Sequence, residues 1–166
     1  GTVTSNDGSV IVGRSENSDG NEEAFVWTQS GGMVSLGNIG GEEAEVSYAS
    51  ADGSVAVGEA ENGDSDTVAF LWDNVNGMRD LMEVLTADAS LASSLVGWDY
   101  LTSAIEVSSD GLTIVGNGEF EGDDQVWIAR IDSAAASQSG SMTGLVDSTP
   151  LLDSGTDTAS GTIGFQ

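Results

Sequence analysis

Ser50-Ala51-Asp52-Gly53-Ser54-Val55-Ala56-Val57-Gly58 decides the fold, because the chain spells it three times. It stands earlier as Ser5-Asn6-Asp7-Gly8-Ser9-Val10-Ile11-Val12-Gly13 and later as Ser108-Ser109-Asp110-Gly111-Leu112-Thr113-Ile114-Val115-Gly116. Asp-Gly is a turn pair whose glycine takes the positive φ that tight hairpins need. The β-branched run after it reads as a short buried strand, ended by the next glycine. A second phrase follows each turn: Ala24-Phe25-Val26-Trp27, Ala69-Phe70-Leu71-Trp72, then a weaker Gln125-Val126-Trp127. A third, Gly32-Met33-Val34-Ser35-Leu36, recurs as Gly77-Met78-Arg79-Asp80-Leu81.

Each unit therefore predicts about four antiparallel strands in roughly 40 residues, the size of a propeller blade. The expected fold is all-β: three repeated four-stranded antiparallel blades, propeller-like, over residues 1–132, with a short helical insert and a low-complexity C-terminal tail. The repeats fall at about 3–41, 46–81 and 103–131. Residues 82–101 form the insert, where Leu81-Met82-Glu83-Val84-Leu85 makes one amphipathic turn and Asp88 or Ser90 caps a second carrying Leu91 and Leu95. So apolar an insert is expected to wedge against core rather than cover a ligand. The Phe and Trp of the second phrase, at a fixed place in each unit, are expected as core anchors more than as a carbohydrate platform. The repeated Asp is expected to close its own Asx turn without any ligand.

Residues 133–166 are dominated by Ser, Thr, Gly, Ala and Asp, the composition of a linker or tail. Leu145-Val146, Leu151-Leu152 and Thr162-Ile163-Gly164-Phe165 interrupt it as strand-like islands, suited to donation to a sheet edge.

Composition removes many functions. Twenty-eight acidic residues face three arginines, Arg14, Arg79 and Arg130, and the formal net charge is −25 with no lysine. Nucleic acid and anionic membrane both need Lys or Arg to replace counterions, so neither is an expected partner. Without Cys or His, disulfides, thiol nucleophiles, Ser-His-Asp triads and the usual zinc, copper and iron ligand sets are gone. Without Lys, Schiff-base and P-loop chemistry go too. No apolar run reaches membrane-spanning length, and no signal peptide is read. The chain opens at Gly1 without a Met, as expected of a processed or partial product.

The motif order S-x-D-G-S-V-x-V-G, acidic loop, A-F-x-W, G-G-M, over residues 3–131, resembles the HAF-type extracellular repeat of bacterial secreted and autotransporter-associated proteins. Trp98, Leu101, Ser103-Ala104, Ser108-Ser109-Asp110-Gly111 and Ile114 to Gly118 resemble its closing repeat. The resemblance implies a propeller-like all-β fold and an extracellular or cell-surface setting. It brings no catalytic residues or cofactor.

Three units leave open blade edges, because propellers close with four to eight blades. The expected function is a non-catalytic structural or adhesive subunit whose partners are copies of itself, joined through those edges and the tail into a ring or filament. The rival is a calcium-dependent binding module, since carboxylate oxygens suit a hard cation and all three acidic loops are rich in them. Its candidate ligands are Asp19, Glu22 and Glu23 in the first loop, Asp64 and Asp66 in the second, and Asp123 and Asp124 in the third. Solvated loops are the plainer reading, because the spacing is not that of an EF-hand. A propeller glycosidase, acting on an extracellular glycan through two carboxylates, is third, and nothing in the sequence selects the pair.

Overall fold

The computed structural model describes residues 2–131 apart from 6, 17–21 and 88–91. The tail from 133, with its strand-like islands, lies outside the described residues, as do Asp19, Asp88, Ser90 and Leu91.

The described residues form three antiparallel sheets. The first contains β1 (Thr2–Thr4), β2 (Val10–Glu16), β3 (Glu22–Thr28) and β4 (Gly32–Ser35) in sequence order. The second contains β5 (Gly40–Ala49), β6 (Val55–Asn62), β7 (Thr67–Asp73) and β8 (Gly77–Asp80). The third has three strands among the described residues, β9 (Trp98–Val107), β10 (Thr113–Phe120) and β11 (Asp123–Arg130), where a fourth was expected. The second and third sheets begin earlier than the repeats suggest, at Gly40 and Trp98, because the leading strand of each is ten residues long.

Those long strands hold the sheets face to face. β5 lies across β2 and β3 of the first sheet, and β9 lies across β6 and β7 of the second. Both carry bulges, so their buried residues depart from strict alternation: Trp98, Leu101, Ala104 and Val107 point inward at intervals of three.

Two cores result, one per junction. Between the first two sheets Val10, Val12, Ala24 and Val26 meet Ala56, Ala60, Phe70 and Trp72. Between the second and third, Val55, Val57, Ala69 and Leu71 meet Ile114, Trp127 and Ala129. The central sheet thus buries both of its faces, and β7 reads as a continuous apolar run for that reason.

The insert contributes α1 (Leu81–Thr86) and a 3₁₀ turn (Ala92–Leu95), and its last part, from Trp98, is already β9. Asp80 caps α1 by accepting from the amides of Met82 and Glu83. Leu81, Leu85 and Leu95 are buried in the second core beside Trp98. Among the described residues no helix is long and apolar enough to cross a membrane.

The strand pairing corrects one alignment. In the first two sheets the phenylalanine of Ala-Phe-x-Trp stands opposite the glycine that ends the turn motif, Phe25 across from Gly13 and Phe70 across from Gly58. In the third sheet the residue opposite Gly116 is Trp127. The counterpart of Ala69-Phe70-Leu71-Trp72 is therefore Val126-Trp127-Ile128-Ala129, two residues later than matching tryptophan to tryptophan suggests. The physical cause is room for a ring. A Cβ on Gly116 would sit 2.2 Å from Trp127 Cζ2, and one on Gly58 would sit 2.9 Å from Phe70 Cε1. The bare backbone is the seat of the aromatic.

Candidate functional site

The three Ser-x-Asp-Gly turns are built alike. In the first, Asp7 Oδ1 accepts from Ser5 Oγ at 2.8 Å, Ser9 Oγ at 2.7 Å and the Ser9 amide at 3.0 Å. Ser5 Oγ in turn accepts from the Val10 amide at 3.0 Å. The second turn repeats every bond with Asp52, Ser50, Ser54 and Val55. In the third, Asp110 accepts from Ser108 Oγ and the Leu112 amide, and a hydroxyl is missing because Leu112 replaces the serine. Backbone bonds from each glycine amide to the first serine's carbonyl complete the turns.

These donors favour the charged carboxylate. The Ser9 amide, then the Ser9 and Ser5 hydroxyls, hold Asp7 down to about 2. At Asp52 burial works upward, and the hydrogen bonds from Ser54 and Ser50 outweigh it, so its pKa is still lowered. Asp110 is lowered by Ser108, by the Leu112 amide and, more weakly, by the charge of Arg130. In each repeated aspartate Oδ1 is the oxygen that closes its own hairpin.

The turns also join sheet to sheet. Gly53 is buried with its α-carbon against Val10 and Thr28 of the first sheet, and Gly111 is buried against Val55 of the second. The amide of Ala51 donates to the carbonyl of Ser109 at 3.0 Å, tying the second turn to the third. Gly8 is exposed, and a Cβ there would meet nothing within 4 Å. Ser5, Asp7, Tyr48, Ala51 and Ser109 border a cleft of about 300 Å³ where the three turns converge.

The same asymmetry governs the aromatic face. In the second sheet Ala56, Phe70, Trp72 and Met78 share one face, against the first sheet, with Phe70 at 0% and Trp72 at 5% exposure. Their counterparts by pairing, Ile11, Phe25, Trp27 and Met33, share the outer face of the first sheet. Phe25 and Trp27 are only half-buried there, and Met33 is 59% exposed. At the other end, Val115, Val126 and Ile128 correspond to Val57, Ala69 and Leu71, which the third sheet buries. Val126 and Ile128 are 46% and 43% exposed. The candidate functional site is this pair of faces, which no other described sheet covers, a leading face on the first sheet and a trailing face on the third.

The acidic loop residues lie at the opposite ends of the hairpins. Glu22 pairs with Arg14 at 3.2 Å, and Glu23 accepts from Ser35 Oγ at 2.9 Å. Asp64 and Asp66 are exposed in the β6–β7 turn, where their amides donate to Asn62 Oδ1. Asp123 and Asp124 are exposed at the start of β11. Among the described residues no three carboxylates gather closely enough to hold a metal ion. Sequence reasoning had no signal for Asp73. It is buried at the end of β7, accepts from the Val75 and Asn76 amides, and pairs with Arg79.

No family model and no curated protein matches the sequence. Among solved structures the chain is similar to a protein assigned as TolB from Agrobacterium tumefaciens, at a TM-score of 0.51 and 17% identity, over 78% of this chain and 41% of that one. It is also similar to TolB from Acinetobacter baumannii, at a TM-score of 0.46 and 16% identity, over 78% of this chain and 29% of that one. The chain thus spans about two-fifths of the first structure's length. The likeness is one of fold: all-β, of antiparallel sheets, as in the TolB β-propeller.

Proposed function

We propose that the chain is a three-bladed propeller segment of HAF type, a non-catalytic structural or adhesive subunit at the cell surface or outside the cell, which acts by joining its end blades to more protein. One observation carries this: the face that is sealed in the second sheet is partly exposed in the first, with Phe, Trp and Met at the same places. Partly exposed Phe25 and Trp27 beside exposed Met33 make an apolar patch of a kind that marks protein contact. The trailing face offers a second such patch. The net charge of −25 keeps a subunit with two sticky ends soluble until it meets its partner, and the absence of Cys leaves it indifferent to an oxidising exterior.

Multi-angle light scattering on the full chain tests this. The expected result is a particle heavier than the 16.9 kDa chain. A stable 16.9 kDa particle at every concentration and salt would remove the reading.

A further inference from the structure

We infer that the protein which covers the leading face is a second copy of this chain, docked head to tail with its third sheet against the first sheet of its neighbour. This rests on the reading just given and names its partner. The chain contains the template twice. At each internal junction a Val-x-Val strand, paired to a strand of small and branched residues, forms the trailing face: Val10 and Val12 with Ala24 and Val26, then Val55 and Val57 with Ala69 and Leu71. Onto each the next sheet lays an aromatic seated over a glycine, Phe70 over Gly58 and Trp127 over Gly116. The free trailing face presents Thr113 and Val115 with Val126 and Ile128, and the free leading face presents Phe25 on the strand position opposite Gly13. The two ends are donor and acceptor of one repeated joint.

The turn supplies an independent second mark. Gly53 and Gly111 each press on the first valine of the preceding sheet's middle strand, at 3.3 and 3.0 Å from a Cβ position. Gly8 has the same positive φ, and a Cβ there would meet none of the described residues within 4 Å. In the docked pair it would meet Thr113 of the second copy, which stands where Val10 and Val55 stand. Such a contact is heterologous: two copies make a six-bladed ring if the rotation closes, and a filament grows if it does not. Because both copies are strongly acidic, added salt should tighten the joint by screening their repulsion.

The test uses full-length variants Met33→Asp and Ile128→Asp, each placing a charge on one end at a residue exposed in the free chain. Every head-to-tail contact needs one intact leading and one intact trailing face. Each variant alone should therefore assemble roughly tenfold or more weakly than the parent, the scale set by about 1.4 kcal/mol. Mixed in equal amounts, they still hold one sound head and one sound tail, and should form a particle of two chains and no larger. Gly8→Asn is the companion variant, since asparagine tolerates a positive φ and has open space here in the free chain. It should keep the melting temperature of the dilute chain and weaken assembly.

If the parent assembles and either Asp variant assembles unchanged, or the mixture stays monomeric, the head-to-tail pairing is wrong while association through protein stands. If the parent remains a 16.9 kDa particle because residues 132–166 or nothing at all cover the faces, both readings fall together.

Discussion

The first and second sheets are near-copies in sequence and opposites in burial. Phe70 and Trp72 are sealed, whereas Phe25 and Trp27, in the same register against the same kind of turn, are partly exposed. A Cβ on Gly53 would crowd Val10 and Thr28, and one on Gly8 would meet none of the described residues within 4 Å. The repeat therefore encodes a surface, and only the presence of a preceding sheet converts that surface into core. A residue's worth here depends on its position along the array, as expected when each unit contacts only its neighbours.

The strongest way to break the comparison is to remove the ring from each side. Phe70→Ala should cost about 3–5 kcal/mol in urea unfolding, the range for a fully buried aromatic. Phe25→Ala in the dilute chain should cost about 1 kcal/mol, since less area leaves water there. Equal losses would mean that the first sheet is already covered.

The turn serines give a smaller contrast. Ser50 is 1% exposed and bridges the Val55 amide to Asp52. Ser50→Ala strands that buried amide and should cost about 1–3 kcal/mol. Ser5 makes the same bonds half-exposed, so water can replace its hydroxyl, and Ser5→Ala should cost less than half as much in the same assay. Reversed rankings would contradict the view that the neighbouring sheet sets the cost.

The smallest effect distinguishes the first turn from the third. Asp7 is lowered from 3.8 to about 2. A carboxylate lowered in the folded state stabilises the fold above its ordinary pKa, and that contribution is lost as the pH falls from about 4 to about 2. Carboxyl titration by NMR should therefore place Asp7 near 2. Ser9→Ala should raise it, leaving a turn with the donors that Asp110 has beside Leu112. An Asp7 that titrates at the ordinary value would remove the closed-turn description.

Much of this was legible in the sequence. Asp-Gly marked the hairpins, the alternation of Phe25 and Trp27 marked β3, and the triple recurrence marked three sheets. The third sheet's register was not, because tryptophan was matched to tryptophan while the physical rule is a ring over a glycine. Gly116 opposite Trp127 obeys that rule. Asp80, with Glu83 three residues on, had the form of a helix start, yet the repeat phrase absorbed it as a strand end. The uncovered faces had no letter of their own, since Phe25 and Phe70 are spelled alike. Exposure belongs to the neighbour, and the neighbour is absent from the local sequence.

Hydroxyl-radical footprinting of the full chain over a concentration series tests the central claim most directly, with Trp72 and Met78 as internal standards for Trp27 and Met33. Copy-on-copy covering predicts that Trp27 and Met33 react freely when dilute and approach the protection of their counterparts as concentration rises. Reactivity at Trp27 and Met33 that stays constant across the series, whether high or low, would contradict it.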